Sequence, residues 1–194
     1  MNNWPMSEPQ APGAISSWIK RWTHLVPPRG SVLDIACGQG RHMKWFTEKG
    51  HAVVGVDRSP EAINTAARFG AAIRADIEND PWPLMKGDQI RQFDAVIVTN
   101  YLWRPLFPVI AQSVAPGGLL LYETFSQGNE TVGKPSRADF LLRPAELLSA
   151  FETMRIIAFE EGFLENPSRF VQRIAAIQPD SRAGPDPVPA HYVL

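Results

Sequence analysis

The chain has 194 residues, a formal net charge of −1, 44% hydrophobic residues and one cysteine. That length suits one domain with a sizeable core, and the even charge balance excludes tight non-specific nucleic-acid binding. No apolar run approaches the ~20 residues of a membrane span, Met1 to Gly13 lack a signal-peptide core, and a lone Cys37 points to a reducing, cytoplasmic setting.

In chain order, residues 1–12 predict a flexible N-terminal arm. Ile15, Trp18, Ile19, Trp22 and Leu25 recur near helical spacing and predict an amphipathic helix over 14–26, stopped by Pro27-Pro28-Arg29-Gly30. Val32-Leu33-Asp34-Ile35 predicts a short buried strand. Ala36-Cys37-Gly38-Gln39-Gly40 follows as a small-residue loop, and a helix over 41–49 stops at Gly50. A second strand over 51–56 ends at Asp57. Ser59 and Pro60 are suited to the N-cap and first turn of a helix that ends before Gly70. A third strand over 71–75 ends at Asp76-Ile77, and 78–92, with Asp80-Pro81-Trp82-Pro83, predicts a loop. Residues 93–101 predict a buried central strand, and 105–114 a helix whose Pro108 makes its start late or irregular. After Pro116-Gly117-Gly118 comes a fifth strand, to Glu123. The long polar stretch 124–140 is a candidate mobile lid, or an ordinary surface loop. A helix over 143–151, strands over 154–161 and 169–177 around Glu165-Asn166-Pro167, and an extended proline-containing tail over 179–194 complete the chain.

Alternating strands and helices predict an α/β domain over 13–178, with a doubly wound, mostly parallel sheet and helices on both faces. Ligands in such sheets bind at the carboxyl ends of the strands, where Asp34, Asp57, Asp76 and Asn100 fall. The loop after the first strand lets a ligand approach backbone closely, and the helix start behind it offers free N–H groups. Met43 stands where a dinucleotide fingerprint needs its third glycine. Asp34, ahead of the glycines, would repel a pyrophosphate but suits a cationic amino group. Asp57, about 20 residues beyond the loop, is placed to accept ribose hydroxyls.

Asp34-x-Ala36-x-Gly38-x-Gly40 resembles motif I of the class I S-adenosylmethionine-dependent methyltransferases, with Ala36 at the first glycine position and expected to keep negative φ. The acids at three successive strand ends, and Pro116-Gly117-Gly118 before the fifth strand, extend the resemblance over about residues 30–125; the rest matches by topology only. It implies a single Rossmann-like sheet of seven strands, the last inserted antiparallel, and S-adenosylmethionine as cofactor, with S-adenosylhomocysteine as product. Within it, Asp34 anchors the methionine amino group, Gly38 and Gly40 give backbone access, and Asp57 holds the ribose. Asp76 accepts from the adenine amino group, Ile77 packs on the ring, and Arg58 flanks the adenosine. Arg41 and His42, which open the next helix, are counted with the cofactor-binding residues; His42 faces the methionine carboxylate or the acceptor, or is a solvent-exposed first-turn residue. Asn100 and Tyr101 border the methyl-transfer end. Tyr101, Trp103, Arg104 and Glu123 are acceptor-side candidates for a small polar or anionic molecule.

A sulfonium is an activated methyl donor, so in-line transfer draws up to ~7–11 kcal/mol from proximity and orientation, and a base is needed only where the acceptor holds its proton. The chain lacks the cysteine nucleophile of the family's cytosine-C5 enzymes, and Thr99-Asn100-Tyr101-Leu102 replaces the Asn/Asp-Pro-Pro-Tyr motif of its amino-methylating nucleic-acid enzymes. Cys37 is expected to be a packing residue. No metal-ligand spacing stands out, and His24, His51 and His191 are scattered. Residues 34–41 and 50–60 resemble small bacterial tellurite-resistance-type methyltransferases. The expected activity is methyl transfer to a small-molecule acceptor by a cytoplasmic, bacterial transferase acting as a monomer or weak homodimer. The alternative is a non-catalytic S-adenosylmethionine-binding sensor or partner protein of the same fold.

Overall fold

The structure is a computed structural model and describes residues 13–180 and 191–193. The expected arm at 1–12 and most of the tail lie outside the described residues. Helix α1 covers only Ser17–Trp22 of the helix expected over 14–26. It is capped by the Ser16 hydroxyl, which accepts from the amides of Trp18 and Ile19, and a 3-10 turn, Thr23–Leu25, continues it. The apolar spacing persists through that turn while the hydrogen-bond pattern changes, so periodicity overstates the α-helix.

Strand β1 (Ser31–Ile35) leads to helix α2 (Arg41–Glu48), β2 (Ala52–Asp57), α3 (Pro60–Ala66) and β3 (Ala71–Arg74). The region expected to be a loop holds a small antiparallel hairpin, β4 (Met85–Lys86) and β5 (Gln89–Ile90), turned at Gly87. Next come β6 (Phe93–Thr99), α4 (Phe107–Ser113) after a 3-10 turn, and β7 (Val114–Phe125). The chain ends in α5 (Glu146–Ala150), β8 (Arg155–Glu165) and β9 (Ser168–Ile177).

The seven-stranded sheet runs β3-β2-β1-β6-β7-β9-β8. Pairings among β3, β2, β1, β6 and β7 are parallel, and β9 is antiparallel to both β7 and β8. The hairpin therefore places the last strand antiparallel inside the sheet, as expected. Period-2 alternation splits the strands between two cores. Leu33, Ile35, Val96, Val98, Leu120 and Tyr122 face α4 and α5, with Ile110, Leu147 and Phe151. Val32, Ala95, Ile97, Leu119 and Leu121 face α1 and α2, with Trp18, Trp22, Met43 and Phe46. The same alternation turns Asp34 and Glu123 toward the α1–α2 face. Register aligns the carboxyl ends: Ile35 pairs with Val56 and Val98, Asp57 with Arg74, and Thr99 with Glu123.

Among the described residues, no helix is long and apolar enough to cross a membrane.

Candidate active site

The loop after β1 is shaped by backbone bonds. The Cys37 amide donates to Val56 O at 3.0 Å, and the Gly40 amide to Cys37 O at 3.0 Å. Closing the chain so sharply drives Ala36 to φ 53°, the left-handed region, against the negative φ expected of it. The position keeps the conformation for which glycine is the usual residue, and the methyl group is carried at a cost of about 1–2 kcal/mol. Gly38 is also at φ 53°, and a Cβ there would meet no protein atom within 4 Å, so its free face opens away from the protein. Gly40 differs. A Cβ would sit 3.0 Å from Ala66 Cα, so this residue is small because α3 packs on it.

Asp57 ties the loop to the end of β2. Its Oδ2 accepts from the Gly38 amide at 2.8 Å and its Oδ1 from the Ser59 amide at 2.9 Å. Beside it, at the carboxyl ends of β1, β2, β3 and β6, lies a cavity of about 430 Å³. Of the sequence-predicted residues, Ala36, Asp57, Arg58, Asp76, Ile77, Asn100 and Tyr101 line it. Asp76 accepts from the Asn79 side chain at 2.9 Å and the Glu78 amide at 3.2 Å, which hold its carboxyl below the usual range. Burial, and then Glu78, push the Tyr101 hydroxyl up, so at neutral pH it is a protonated phenol and no base. Phe125, Pro135 and Phe140 add apolar lining from the end of β7 and the stretch after it. The 124–140 stretch thus supplies one side of the cleft, after Thr124 and Phe125 complete β7.

Asp34 does not line that cavity; it lies buried just inside the sheet edge, 1% exposed. Neither carboxylate oxygen has a hydrogen-bond partner among the described residues. Burial pushes its pKa up to about 7, opposed by the nearby Arg41, helped by the negative charge of Asp57, and opposed again by the Met43 amide, which points at the carboxyl from the start of α2 beyond close hydrogen-bond range. His42 is neither of the exposed kind nor a charged partner. The Ser16 amide points at its Nε2 at 3.4 Å, which puts the ring proton on Nδ1, toward Thr99 Oγ1 at 3.5 Å and Asp34 at 3.9 Å. Burial, then Arg41, lowers the His42 pKa to about 3, so the ring is neutral. A buried carboxyl without a partner is costly unless a cation or donor reaches it. Arg41 itself makes only long bonds, to Ala14 O and Thr99 Oγ1, each 3.4 Å.

The other acceptor-side candidates are placed elsewhere. Arg104 points its Nε and Nη2 at Glu146, at 2.6 and 2.9 Å, and also donates to the Asp139 and Leu141 carbonyls; it clamps the segment before α5. Trp103 packs against the α4–α5 core. Glu123 is fully buried, accepting from Ser16 at 3.1 Å, Arg169 at 3.3 Å and Arg173 at 3.2 Å. Sequence reasoning missed Arg169 and Arg173. The signal was present: the two residues, four apart in an apolar strand, share one face, and Arg173 pairs in register with Glu123. Among the described residues no group of His, Cys, Asp and Glu is arranged to hold a metal ion.

Comparison with known proteins agrees with this layout. Residues 32–118 match the family described as methyltransferase domain. YqeM of Bacillus subtilis is 29% identical over 120 residues, covering 56% of this chain and 48% of that protein, so the chain matches about half the length of this relative. The crystal structure of TehB from Haemophilus influenzae superposes with a TM-score of 0.69 at 17% identity, covering 84% of this chain and 62% of that one. A TehB-like SAM-dependent methyltransferase from Corynebacterium glutamicum gives a TM-score of 0.61 at 19% identity, over 84% and 87% of the two chains.

Proposed function

We propose that this chain, whose residues 32–118 match the methyltransferase domain family and whose sheet has the class I methyltransferase fold, binds S-adenosylmethionine and passes its methyl group in line to a small-molecule acceptor. The observation that carries the reading is Asp34: a buried carboxyl with no close hydrogen bond among the described residues and only a neutral His42 and a more distant Arg41 beside it, its pKa raised to about 7, next to a glycine loop whose Gly38 faces open space. The ammonium of a methionyl group supplies the missing cation, directly or through water. Asp57 keeps lone pairs for a ribose diol while its amide bonds hold the loop. Asp76 offers a carboxylate and Ile77 an apolar face to an adenine ring at the far end of the cavity. When bound, the sulfonium supplies the activated methyl. The chain's part is to orient the donor, exclude water and seat an acceptor near Asn100 and Tyr101.

Tyr101, held protonated, orients or donates and does not abstract a proton. The cation-for-carboxyl match at Asp34, and the absence of the third dinucleotide glycine at Met43, weigh against a nicotinamide cofactor. We place the activity in a cytoplasmic setting, on the single buried Cys37, with the chain acting as a monomer or weak homodimer. The test is conversion of S-adenosylmethionine to S-adenosylhomocysteine, followed by mass spectrometry across thiol, quinone, chalcogen and carboxylate-bearing acceptors. Acceptor-dependent conversion supports the transferase. Tight binding with no conversion for any acceptor favours the sensor reading, and no binding rejects both.

A further inference from the structure

A second cavity, of about 340 Å³, adjoins the first and shares Asn100 and Phe125 with it. Its other lining includes Arg41, Lys134 and Arg169, and no aspartate or glutamate. The charges there are unevenly matched. Arg169 is 8% exposed; one of its amino groups reaches Glu123 at 3.3 Å, another lies 3.5 Å from Asn100 Oδ1, and its Nε has no hydrogen-bond partner. Glu123 is also shared with Arg173, which has a second carboxylate in Glu160 at 3.0 Å, whereas Arg169 has Glu123 as its one ion-pair partner among the described residues. Arg41 has no ion pair within 4 Å among the described residues; burial weighs most on its charge, Glu123 and Asp34 attract it from farther off, and Arg169 repels it. Lys134 is exposed at the rim. A buried guanidinium, Arg169, and a half-buried one, Arg41, facing one space with no acidic side chain in its lining, create a demand for an anion.

We propose that this second cavity is the acceptor subsite, and that it takes a small organic acid whose carboxylate docks between Arg41 and Arg169, with Lys134 closing over it. The assignment rests on the methyltransferase reading, since Asn100 joins the two cavities at the expected transfer end. A volume of about 340 Å³ exceeds what a bare inorganic oxyanion fills, and Phe125 and Pro167 offer apolar contact to a carbon skeleton. The carboxylate is the anchor and not the methylated atom: an oxygen paired to buried guanidinium groups gives up nucleophilicity. The reacting atom lies elsewhere on the same molecule, toward Asn100.

The test is binding to the S-adenosylhomocysteine-loaded chain of benzoate, 3-phenylpropionate and succinate, each beside its neutral amide, with inorganic sulfate as a further probe. At least one acid should bind about tenfold or more tightly than its amide, equivalent to about 1.4 kcal/mol. Arg169→Gln should remove that preference, and Lys134→Gln, at an exposed site, should weaken it by a smaller factor. Equal binding of every acid and amide, or an acid preference that survives both substitutions, overturns the proposal. Sulfate binding as tightly as the best acid overturns the organic part. Titration with S-adenosylhomocysteine alone keeps the two readings apart. If it binds and no acid is preferred, only the acceptor assignment falls. If it does not bind, the cofactor reading falls, and the acid–amide comparison on the unloaded chain decides the subsite by the same criteria.

Discussion

Asp34→Asn should make the ligand-free protein more stable at pH 8 while weakening cofactor binding. In the unfolded chain the carboxyl titrates near 3.8, and in the fold near 7. The folded state therefore holds its proton more tightly, and stability falls as pH rises from about 4 to 7 and then levels off. The full penalty above pH 7 is on the order of 4 kcal/mol. Asparagine removes that penalty but leaves a buried amide without partners, costing about 1–3 kcal/mol. The net gain at pH 8 is then about 1–3 kcal/mol. Urea denaturation at pH 5 and pH 8 measures it: relative to the variant, the native sequence should lose about 2–3 kcal/mol between the two pH values. A stability difference that does not change with pH would refute the claim that Asp34 is a buried, unpartnered acid. A cationic ligand should reverse the effect, because it stabilises the carboxylate. Below pH 7, binding of S-adenosylhomocysteine should thus release a proton, seen as a dependence of binding heat on buffer ionisation enthalpy.

Three further substitutions probe separate links. Asp57→Ala removes the charged acceptor that also ties Gly38 and Ser59 together, and should weaken S-adenosylhomocysteine binding by about 1.5–3 kcal/mol, measured by calorimetry; unchanged affinity rejects the ribose role. Gly55→Ala would drive a Cβ into Met43 Sδ and to 2.8 Å from Cys37 Sγ, so it should cost about 1–3 kcal/mol in urea denaturation by overpacking beneath the loop. Glu123→Gln leaves the buried Arg169 without its anion, while Arg173 keeps Glu160 at 3.0 Å, and should destabilise by about 3–5 kcal/mol; a loss under 1 kcal/mol would mean that water or another group already neutralises Arg169.

Much of the fold was legible because parallel strands buried on both faces appear as short Val, Ile and Leu runs ending at acids or glycines. The glycine loop, Asp57, Asp76 and Asn100 fell at the strand ends for the same reason. What was not legible depends on the third dimension. The helix over 14–26 was cut short where Thr23 bonds Ile19 O and Trp45, a tertiary arrangement invisible to periodicity. The helix at 143–151 starts only at Glu146, because Ala145 sits at φ 56°. Ala36 was assigned negative φ from its Cβ alone, whereas loop closure onto Val56 decides its conformation. The packing of α3 on Gly40 and the pairing of Arg104 with Glu146, 42 residues away, are both contacts across the fold that spacing does not reveal. Glu123 was legible as a strand-end acid, but its arginine partners come from a strand 46 to 50 residues later and its hydroxyl partner, Ser16, from 107 residues earlier.

The most direct test of the central claim is calorimetric titration of the purified chain with S-adenosylmethionine and S-adenosylhomocysteine, with NAD as control, at pH 7.5. The account predicts one site per chain for both sulfur nucleosides, at micromolar affinity, and none for NAD. Binding of NAD, or of none of the three, would contradict the assignment of Asp34, Asp57 and Asp76 to that cofactor.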